Sequence, residues 1–327
     1  MGNKQIAIIC NVTEEQREIL SGMLGGFASL TFVGDASAED RRQTLASSEI
    51  LIAWSPSKEL QPNEYDAIRN VQLIQLITAG VDHLPFSLLP RTASIAGNVG
   101  AFAGPMSEHV LAMTLALAKR LPINHLKLAA GEFDQVTPNK ALNGMVCGIL
   151  GFGGIGRASA RLMHLLGMKI YAVNTSGKSS DPVDFIGNLS SLEHVLRNCD
   201  VLVISLSLTR LTRGLIGARE LSWMKSDAIL INVARGEIID ENALYDRLKS
   251  CPNFTAGIDT WWIEPSTHGE FRTSCPFFDL PNFLGSPHNS PIVPGTLGHA
   301  TRFAAENIVR FLKREEIKGV VRREEYE

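Results

Sequence analysis

The tightest restriction on how this chain folds comes from a glycine-rich segment near its middle. Residues Cys147–Arg157 read CGILGFGGIGR, so Gly151, Gly153 and Gly156 match the pattern G-x-G-x-x-G. An apolar stretch precedes the pattern and a helical one follows it, which is typical of the strand–turn–helix unit of a dinucleotide-binding domain. The glycines would allow a tight turn, leave room for a pyrophosphate and let the helix pack closely on the strand. The alternative is a turn of the same shape that binds no ligand.

If a dinucleotide binds here, its phosphates should meet the start of the helix. Unpaired N–H groups and the helix dipole favour negative charge at that point. The candidate residues for this contact are Gly151, Phe152, Gly153, Gly154, Ile155 and Gly156.

Short apolar runs alternate with helical stretches around this turn, which predicts an α/β fold with parallel, helix-covered sheets. The strands predicted in this half are Met145–Leu150, Lys169–Val173, Asp200–Leu206, Ala228–Val233, Thr255–Asp259 and Asn282–Ser286. The helices predicted between them are Ile155–Leu166, Leu192–Arg197, Ala218–Trp223 and Glu241–Lys249. This layout is that of a doubly wound, Rossmann-type domain.

The first hundred residues show a second alternating series. Its predicted strands are Gln5–Cys10, Leu30–Val33, Ile50–Trp54, Leu73–Thr78 and Ser94–Ala96, with helices at Glu14–Gly22 and Ala38–Ser47. A last helix, about Pro294–Lys313, is expected to return to this part of the chain. We therefore predict a dinucleotide-binding domain at residues 101–289, inserted in a smaller, flavodoxin-like, substrate-binding domain made of residues 1–100 and 290–327.

A long helix is predicted from about Pro105 to Lys119, where the two predicted domains join. Its apolar residues cover most of its sides, so it should need cover on more than one face, between domains or between subunits. After it, Pro122 and the region Gly131–Asn143 are expected to form a loose connector.

The residues after the second strand of the Rossmann-type series bear on the choice of cofactor. An Asp or Glu usually stands about 20 residues after the glycines and accepts hydrogen bonds from the ribose hydroxyls. Here Asn174 takes that place, followed by Thr175, Ser176 and Lys178. A carboxylate would repel a 2′-phosphate, whereas these groups would not, so the sequence favours NADP over NAD. Because Asn174 can still bind a ribose hydroxyl, and Lys178 can be an ordinary solvated lysine, NAD stays open.

Polar side chains follow three later strands, at the edge where ligands bind in open α/β sheets. Arg235 can hold a carboxylate with both arms of its guanidinium group, and His288 suits proton transfer near neutral pH. Glu264 would orient the imidazole and favour its charged form if it bonds the other ring nitrogen. Asp259 is a candidate for holding the nicotinamide amide. Each residue taken singly can be structural, but their order after a dinucleotide turn favours reduction of a 2-keto acid.

On these segments the chain resembles the D-isomer-specific 2-hydroxyacid dehydrogenase family, which includes D-lactate, glyoxylate/hydroxypyruvate and phosphoglycerate dehydrogenases. The similarity runs from about Leu73 to Phe311. Its most specific pieces are the glycine turn, the run LINVARGEIID at Leu230–Asp240, Asp259 with Glu264-Pro265, and Ser286-Pro287-His288. The resemblance implies an NAD(P)-dependent oxidoreductase that transfers hydride between nicotinamide and a small 2-keto or D-2-hydroxy acid, in a cleft between two domains of a homodimer.

The resemblance also implies roles for individual residues. The catalytic residues would be Arg235, Glu264 and His288. With those inferred above, the cofactor contacts beyond the glycine turn would be Asn174, Thr175, Ser176, Lys178, Leu206, Val233, Ala234 and Asp259. The substrate contacts would be Ala79, Gly80, Val81, Arg235 and His288, with the first three acting through backbone N–H groups.

The chain departs from the family in two further places. Trp261 and Trp262 are bulkier than the family's usual residues after the Asp, and they can either shape the pocket or simply pack. The stretch Ser266–Asn282 is longer than usual and can lie over the active site or over the dimer surface.

Composition argues against several other classes of protein. The net charge is −3 and no run of Lys or Arg suggests nucleic-acid binding. The five cysteines are widely spaced, without a C-x-x-C pair or Cys/His metal spacing, which predicts reduced thiols and no metal. The chain start lacks the apolar run of a signal peptide, and the apolar stretches fall short of the ~20 residues of a membrane span. We expect a cytoplasmic protein that does not bind membranes.

Two alternatives to the hydroxyacid dehydrogenase stay open. Formate oxidation occurs on the same fold, but that relative has a Gln where this chain has Glu264. A non-catalytic module that senses NAD(P) would retain the same glycine turn and is compatible with the same polar residues. The sequence does not identify which 2-keto acid is the substrate.

Overall fold

The computed structural model of the chain describes residues 4–327 and contains two parallel β-sheets. Each sheet belongs to its own unit: one unit is made of Met1–Phe102 and Val293–Glu327, and the other of Ala103–Ile292. The predicted fold class, an α/β protein with a Rossmann-type domain inserted in a smaller flavodoxin-like one, is confirmed. The assignment of the smaller unit to substrate binding stays a prediction.

The smaller unit has a five-stranded sheet with the order β2-β1-β3-β4-β5, all parallel, which is the flavodoxin-like order. Its strands are β1 (Lys4–Ile8), β2 (Ala28–Phe32), β3 (Ile50–Ala53), β4 (Leu73–Leu76) and β5 (Ser94–Ala96). Its helices are α1 (Glu14–Leu24), α2 (Ala38–Ser47), α3 (Pro56–Glu59) and, from the end of the chain, α11 (Thr296–Leu312). Helix α11 packs on α1, where buried Gln16 donates a hydrogen bond to Thr301 Oγ1 at 2.9 Å.

The larger unit has a seven-stranded parallel sheet with the order β12-β11-β10-β9-β6-β7-β8. Its strands are β6 (Val146–Leu150), β7 (Lys169–Val173), β8 (Phe185–Gly187), β9 (Val201–Ile204), β10 (Ile229–Asn232), β11 (Thr255–Ile258) and β12 (Phe283–Gly285). Its helices are α4 (Ala103–Ala118), α5 (Leu121–Ala129), α6 (Gly154–Leu165), α7 (Leu192–Asn198), α8 (Ala218–Trp223), α9 (Glu241–Ser250) and α10 (Pro265–His268). The strand order reverses between β6 and β9, which creates the crevice where ligands bind in such sheets.

Three elements of this unit, β8, α5 and α10, differ from the sequence-based expectation. Strand β8 is only three residues long and was not predicted, because so short a run carries little periodic signal. Pro122 was expected in a loose connector, and this is wrong: it lies in the first turn of α5, where its missing N–H costs no intrahelical bond. The predicted strand Asp200–Leu206 runs one or two residues past the observed ends, and the N–H groups of Asp200 and Ser205 just outside those ends still donate to carbonyl oxygens of β6.

Helix α4 packs within the larger unit against α6, β10 and β11. Its buried side chains include Met106, Val110, Met113 and Leu117, while Leu111 and Leu115 are half-buried. Cover of those other sides by a domain or a subunit stays a prediction. None of the helices in residues 4–327 is both long and apolar enough to cross a membrane.

Two glycines make the tight connection between β6 and α6 possible. Gly151 has φ +95°, and a Cβ there would lie 2.6 Å from the backbone of Ser205, which follows β9. A Cβ on Gly156 would clash with the carbonyl oxygen of Gly151. Glycine is therefore needed at both positions, whereas a Cβ on Gly153 would have no atom within 4 Å.

This difference gives a matched pair of variants for stability. Gly156→Ala should lower the free energy of unfolding by about 1–3 kcal/mol, because the helix must move away from the turn. Gly153→Ala should lower it by less than about 1 kcal/mol, because the added methyl group meets no atom and only the preference of the N-cap for Gly over Ala is lost. Urea unfolding followed by tryptophan fluorescence measures both values, and equal losses in the two variants would contradict the close packing at Gly156.

Candidate active site

The start of helix α6 presents backbone donors beside an open space. The first bond within the helix runs from the Arg157 N–H to the Gly153 oxygen, so the N–H groups of Gly154, Ile155 and Gly156 precede the helical ladder. The open space beside Gly153 lies at the same point. Donors and space together fit the pyrophosphate of a dinucleotide.

The first two residues of the turn have a different role. The N–H groups of Gly151 and Phe152 donate to the oxygen of Val173, at 2.9 and 3.2 Å, and the Phe152 side chain is buried. These two residues hold the turn against the end of β7. The phosphate contact predicted for Gly151 and Phe152 stays a prediction, and their N–H groups are already bonded within the protein.

The loop after β7 is folded around the side chain of Asn174. Its Oδ1 accepts hydrogen bonds from the Gly177 N–H at 2.7 Å and the Ser176 hydroxyl at 3.2 Å, and its Nδ2 donates to the Lys178 oxygen at 2.8 Å. Asn174 therefore holds the loop in shape, while Thr175, Ser176 and Lys178 are exposed. The loop from 174 to 178 presents hydroxyl and ammonium groups and no carboxylate.

A basic residue that the sequence analysis missed lies near this loop. Arg157, in the first turn of α6, forms an ion pair with Asp181 at 3.2 Å, and its side chain is 44% exposed. A basic residue directly after the third glycine was the available signal. Arg157 lies at the end of the glycine turn, and its ion pair with Asp181 connects this end to the segment that follows the Asn174 loop.

Arg235 is positioned by a buried side chain at the end of β10. The Asn232 amide has no exposed surface; it donates to the Arg235 oxygen at 2.9 Å and accepts from the Ala234 N–H at 3.0 Å. Arg235 Nη1 donates to the Ala234 oxygen at 2.8 Å, and the residue is half-buried. Val233 and Ala234 are buried, and the cofactor contacts predicted for them stay predictions.

Glu264 and His288 form a hydrogen-bonded pair. His288 Nδ1 lies 2.8 Å from Glu264 Oε2, and the other carboxylate oxygen accepts from the Trp261 N–H at 2.7 Å. The Glu264 side chain is 12% exposed and the His288 side chain 33% exposed. Because Nδ1 is bonded to the carboxylate, Nε2 is the ring atom left to exchange a proton with a ligand.

The charges of Arg235 and His288 both act on Glu264. Burial raises the pKa of this carboxyl group, but the His288 and Trp261 hydrogen bonds and the charges of His288 and Arg235 outweigh it. The net effect is a pKa below the ordinary value, so Glu264 is ionised beside the imidazole. The structure therefore brings together the three residues that were predicted to be catalytic.

Asp259 holds the loop that carries His288. Its carboxylate has no exposed surface and accepts hydrogen bonds from the Ser286 hydroxyl at 2.6 Å and the N–H groups of Asn289 and Ser290 at 3.2 and 3.3 Å. Its backbone oxygen accepts from the His288 N–H at 2.8 Å. The Asp259 side chain has no exposed surface in this structure, and the direct nicotinamide contact predicted for it stays a prediction.

His288 has a left-handed backbone conformation, with φ +50°. This conformation costs about 1–2 kcal/mol for a residue other than glycine and persists only where the surroundings impose it. Ser286 and the N–H groups after His288 are the constraints, since all bond to Asp259. His109 Nε2 extends the network, 2.9 Å from the Ser286 hydroxyl. These roles of His109 and Ser286 were not predicted from the sequence, because each residue acts through a partner that is distant in sequence.

The remaining predicted contacts lie in loops that follow strands. Leu206 follows β9 beside Gly151, and it is half-buried. Ala79 and Gly80 follow β4 in the smaller unit and are half-buried, whereas the Val81 side chain lies in the core of that unit. The substrate contact predicted for Ala79, Gly80 and Val81 stays a prediction. Across residues 4–327, no three or more His, Cys, Asp or Glu side chains are grouped so that they could hold a metal ion.

Comparison with known proteins identifies the larger unit. The family model described as the NAD-binding domain of D-isomer specific 2-hydroxyacid dehydrogenases matches residues 111–290. The glyoxylate reductase of Thermococcus gammatolerans is 33% identical over 264 residues, which cover 78% of this chain and 77% of that protein. The hydroxypyruvate reductase of Thermotoga maritima is 28% identical over 243 residues, covering 73% and 77%.

A solved structure extends the likeness over almost the whole chain. A D-isomer specific 2-hydroxyacid dehydrogenase family protein from Aeromonas salmonicida superimposes with a TM-score of 0.78 at 25% identity, covering 98% of this chain and 99% of that one.

The lowered pKa of Glu264 predicts how the pair contributes to stability. Because the folded pKa lies below that of an exposed Glu, ionised Glu264 stabilises the fold above pH 4.5, and this contribution is lost as the pH falls through the lowered pKa. Glu264→Gln should therefore be less stable than the wild type by about 1–3 kcal/mol at pH 7, and the gap should narrow below pH 4.5.

Urea unfolding of both proteins at a series of pH values measures this gap. Glu270→Gln is the matched control, since the Glu270 side chain is 63% exposed and forms an ion pair with an exposed arginine. A gap between Glu264→Gln and the wild type that stays constant from pH 7 to pH 3 would contradict the ionised pair.

Proposed function

The chain belongs to the D-isomer-specific 2-hydroxyacid dehydrogenase family, and from this premise we propose that it interconverts a 2-keto acid and a D-2-hydroxy acid with a nicotinamide dinucleotide. One observation carries the proposal. The Glu264–His288 hydrogen bond, with the charge of Arg235 acting on it, lies after carboxyl ends of strands in the sheet that also contains the glycine turn. The reaction needs an acid/base, a cation for the carboxylate and a dinucleotide site, and one sheet supplies all three.

The proton in this reaction would pass through His288. When bound, the reduced nicotinamide supplies the hydride for the keto carbon. His288 Nε2 gives its proton to the keto oxygen, and in the reverse direction it takes the hydroxyl proton. Glu264 keeps Nδ1 bonded and the ring oriented, which leaves Nε2 as the atom that exchanges the proton.

Arg235 would bind the substrate carboxylate and stabilise the negative charge that develops on the keto oxygen. Its backbone is held by Asn232, so the guanidinium group starts from a defined position. The backbone N–H groups of Ala79, Gly80 and Val81 are proposed to contribute to carboxylate binding, as the family resemblance implies.

We propose NADP as the preferred cofactor. The N–H groups of Gly154, Ile155 and Gly156 would hold the pyrophosphate, and the loop of Thr175, Ser176 and Lys178 would face the adenosine ribose. Lys178 supplies an exposed ammonium group in this loop, and Asn174 supplies no carboxylate that would repel a 2′-phosphate. These features support NADP over NAD without preventing NAD from binding.

Removal of the proposed acid/base tests the enzymatic role directly. His288→Ala should lower kcat for glyoxylate or hydroxypyruvate reduction by ~10²–10⁴-fold, because no other group delivers the proton, while cofactor affinity stays close to that of the wild type. His164→Ala, an exposed histidine near the end of α6, is the control and should keep full activity. Near-normal turnover in His288→Ala would remove the assignment, and a wild type that binds NADPH without turnover would indicate a sensor.

Cofactor preference can be tested in the Asn174 loop. Lys178→Ala should raise the KM for NADPH by about tenfold or more and leave that for NADH unchanged, because only NADPH has the phosphate that the ammonium group would bind. Asn174→Asp should move the preference toward NADH by a similar factor. Lys169→Ala, at the other end of β7, is the control. Equal effects of Lys178→Ala on both cofactors would contradict a 2′-phosphate contact.

A further inference from the structure

A cavity of about 620 Å³ lies beside the Glu264–His288 pair. We call it the aromatic cavity, and both members of the pair belong to its wall. Its characteristic apolar residues are Trp261, Phe271, Phe278, Pro287 and Ile292. All of these residues belong to the larger unit. The volume is within the range of small-molecule sites.

The rings of the wall are arranged around Trp261. The Trp261 side chain is buried, and its indole N–H donates to the Ser286 oxygen at 2.8 Å, so its position is fixed. Phe271 meets this ring edge-on, with centroids 5.0 Å apart, and Phe278 stacks on it at 5.5 Å. Gly285 allows this packing, since a Cβ there would lie 2.8 Å from the indole ring. Trp262 takes no part; it stacks on Phe277 and its indole N–H donates to the Ile239 oxygen.

The loop that supplies the two phenylalanines is the stretch of 266–282 that the sequence analysis singled out for its length. Phe271 is 50% exposed and Phe278 is 62% exposed, which is unusual for two large apolar side chains that lie side by side. A ligand that covers them would remove this apolar surface from water.

The charges of the wall restrict what that ligand can be. Among the residues described as lining the cavity, the only ionisable side chains are Glu264 and His288, and neither Lys nor Arg is present. A second carboxylate or a phosphate in the cavity would lose its hydration without gaining a cation. An apolar group would lose only unfavourable contact with water.

We propose that the aromatic cavity binds the side chain of the 2-keto acid, and that the preferred substrates have a large apolar side chain, either aryl or branched alkyl. This inference rests on the proposed function. His288 belongs to the cavity wall and is the residue proposed to protonate the keto oxygen. The substituent on the neighbouring carbon of the substrate can therefore enter the cavity while its carboxylate is held by Arg235.

A series of keto acids with the wild-type holoenzyme tests the proposal. The probes are glyoxylate, pyruvate, 2-oxohexanoate, 4-methyl-2-oxopentanoate and phenylpyruvate, with 2-oxoglutarate as the acidic analogue. The ratio kcat/KM should rise about fourfold for each buried methylene, as burial of apolar surface predicts. Phenylpyruvate should therefore exceed glyoxylate by at least tenfold, and 2-oxoglutarate should be among the poorest substrates.

Two variants attribute the preference to the wall. Phe271→Ala and Phe278→Ala should each lower kcat/KM for phenylpyruvate by about tenfold and change that for glyoxylate less than twofold. Phe27→Ala is the matched control, because Phe27 is 46% exposed and lies in the smaller unit. Ile292→Lys places an ammonium group at an exposed position of the wall and should raise the ratio of 2-oxoglutarate to phenylpyruvate at least tenfold.

The possible outcomes distinguish failure of this inference from failure of the proposed function. If no keto acid is reduced with either NADH or NADPH, the proposed function fails. If glyoxylate or pyruvate is reduced best and the phenylalanine variants leave the selectivity unchanged, the function stands and the substrate inference is overturned. The inference is also overturned if Phe271→Ala changes the oligomeric state, measured by light scattering, without changing selectivity, because the cavity would then be an interface between copies of the chain.

Discussion

The carboxylate of Asp259 lies at the end of a buried strand with no exposed surface, and the site depends on the hydrogen bonds that it accepts. A buried carboxylate is tolerated only when donors surround it, and here Ser286, Asn289 and Ser290 supply them. These donors all come from the loop on either side of His288. These hydrogen bonds fix the loop in which His288 has a left-handed conformation and its ring bonds to Glu264.

The parallel sheet explains why residues so far apart in sequence act together. Every strand of the larger unit ends at the same edge, so the loops after β6, β10, β11 and β12 lie along that edge. The glycine turn follows β6, Arg235 follows β10, and Glu264 and His288 follow β11 and β12. Gly151 packs on the backbone of Ser205 across the point where the strand order reverses, which holds the phosphate-binding turn against the rest of the sheet.

The two ends of the site differ in the polarity of their surroundings. At the Asn174 loop the side chains are exposed, hydroxylic or basic, and suited to an anion in water. Around Glu264 and His288 the wall is aromatic, and the pair is the only source of ionisable groups among the residues described there. A hydrogen bond to an ionised carboxylate is stronger in apolar surroundings than in water, so the rings proposed to bind an apolar substrate also strengthen the contact that orients the imidazole.

The local sequence was sufficient to predict most helices and strands and to identify the main polar residues of the site. The helices Ala38–Ser47 and Ala218–Trp223 and the strand Lys169–Val173 were predicted to the residue, because residue composition is a property of each segment itself. Glycines at 151 and 156, and the set of Arg235, Glu264 and His288, were recognisable for the same reason.

The remaining features of the site depend on contacts between residues that are far apart in sequence. Ser286 bonds to Asp259 across 27 positions and to His109 across 177, and no local sequence pattern predicts contacts at these separations. The internal use of Asn174, the burial of Asp259 and the convergence of Phe271 and Phe278 on Trp261 likewise required the folded chain. Side-chain periodicity reports which face of an element is buried, whereas the partner that a buried group meets depends on the packing of elements that are distant in sequence.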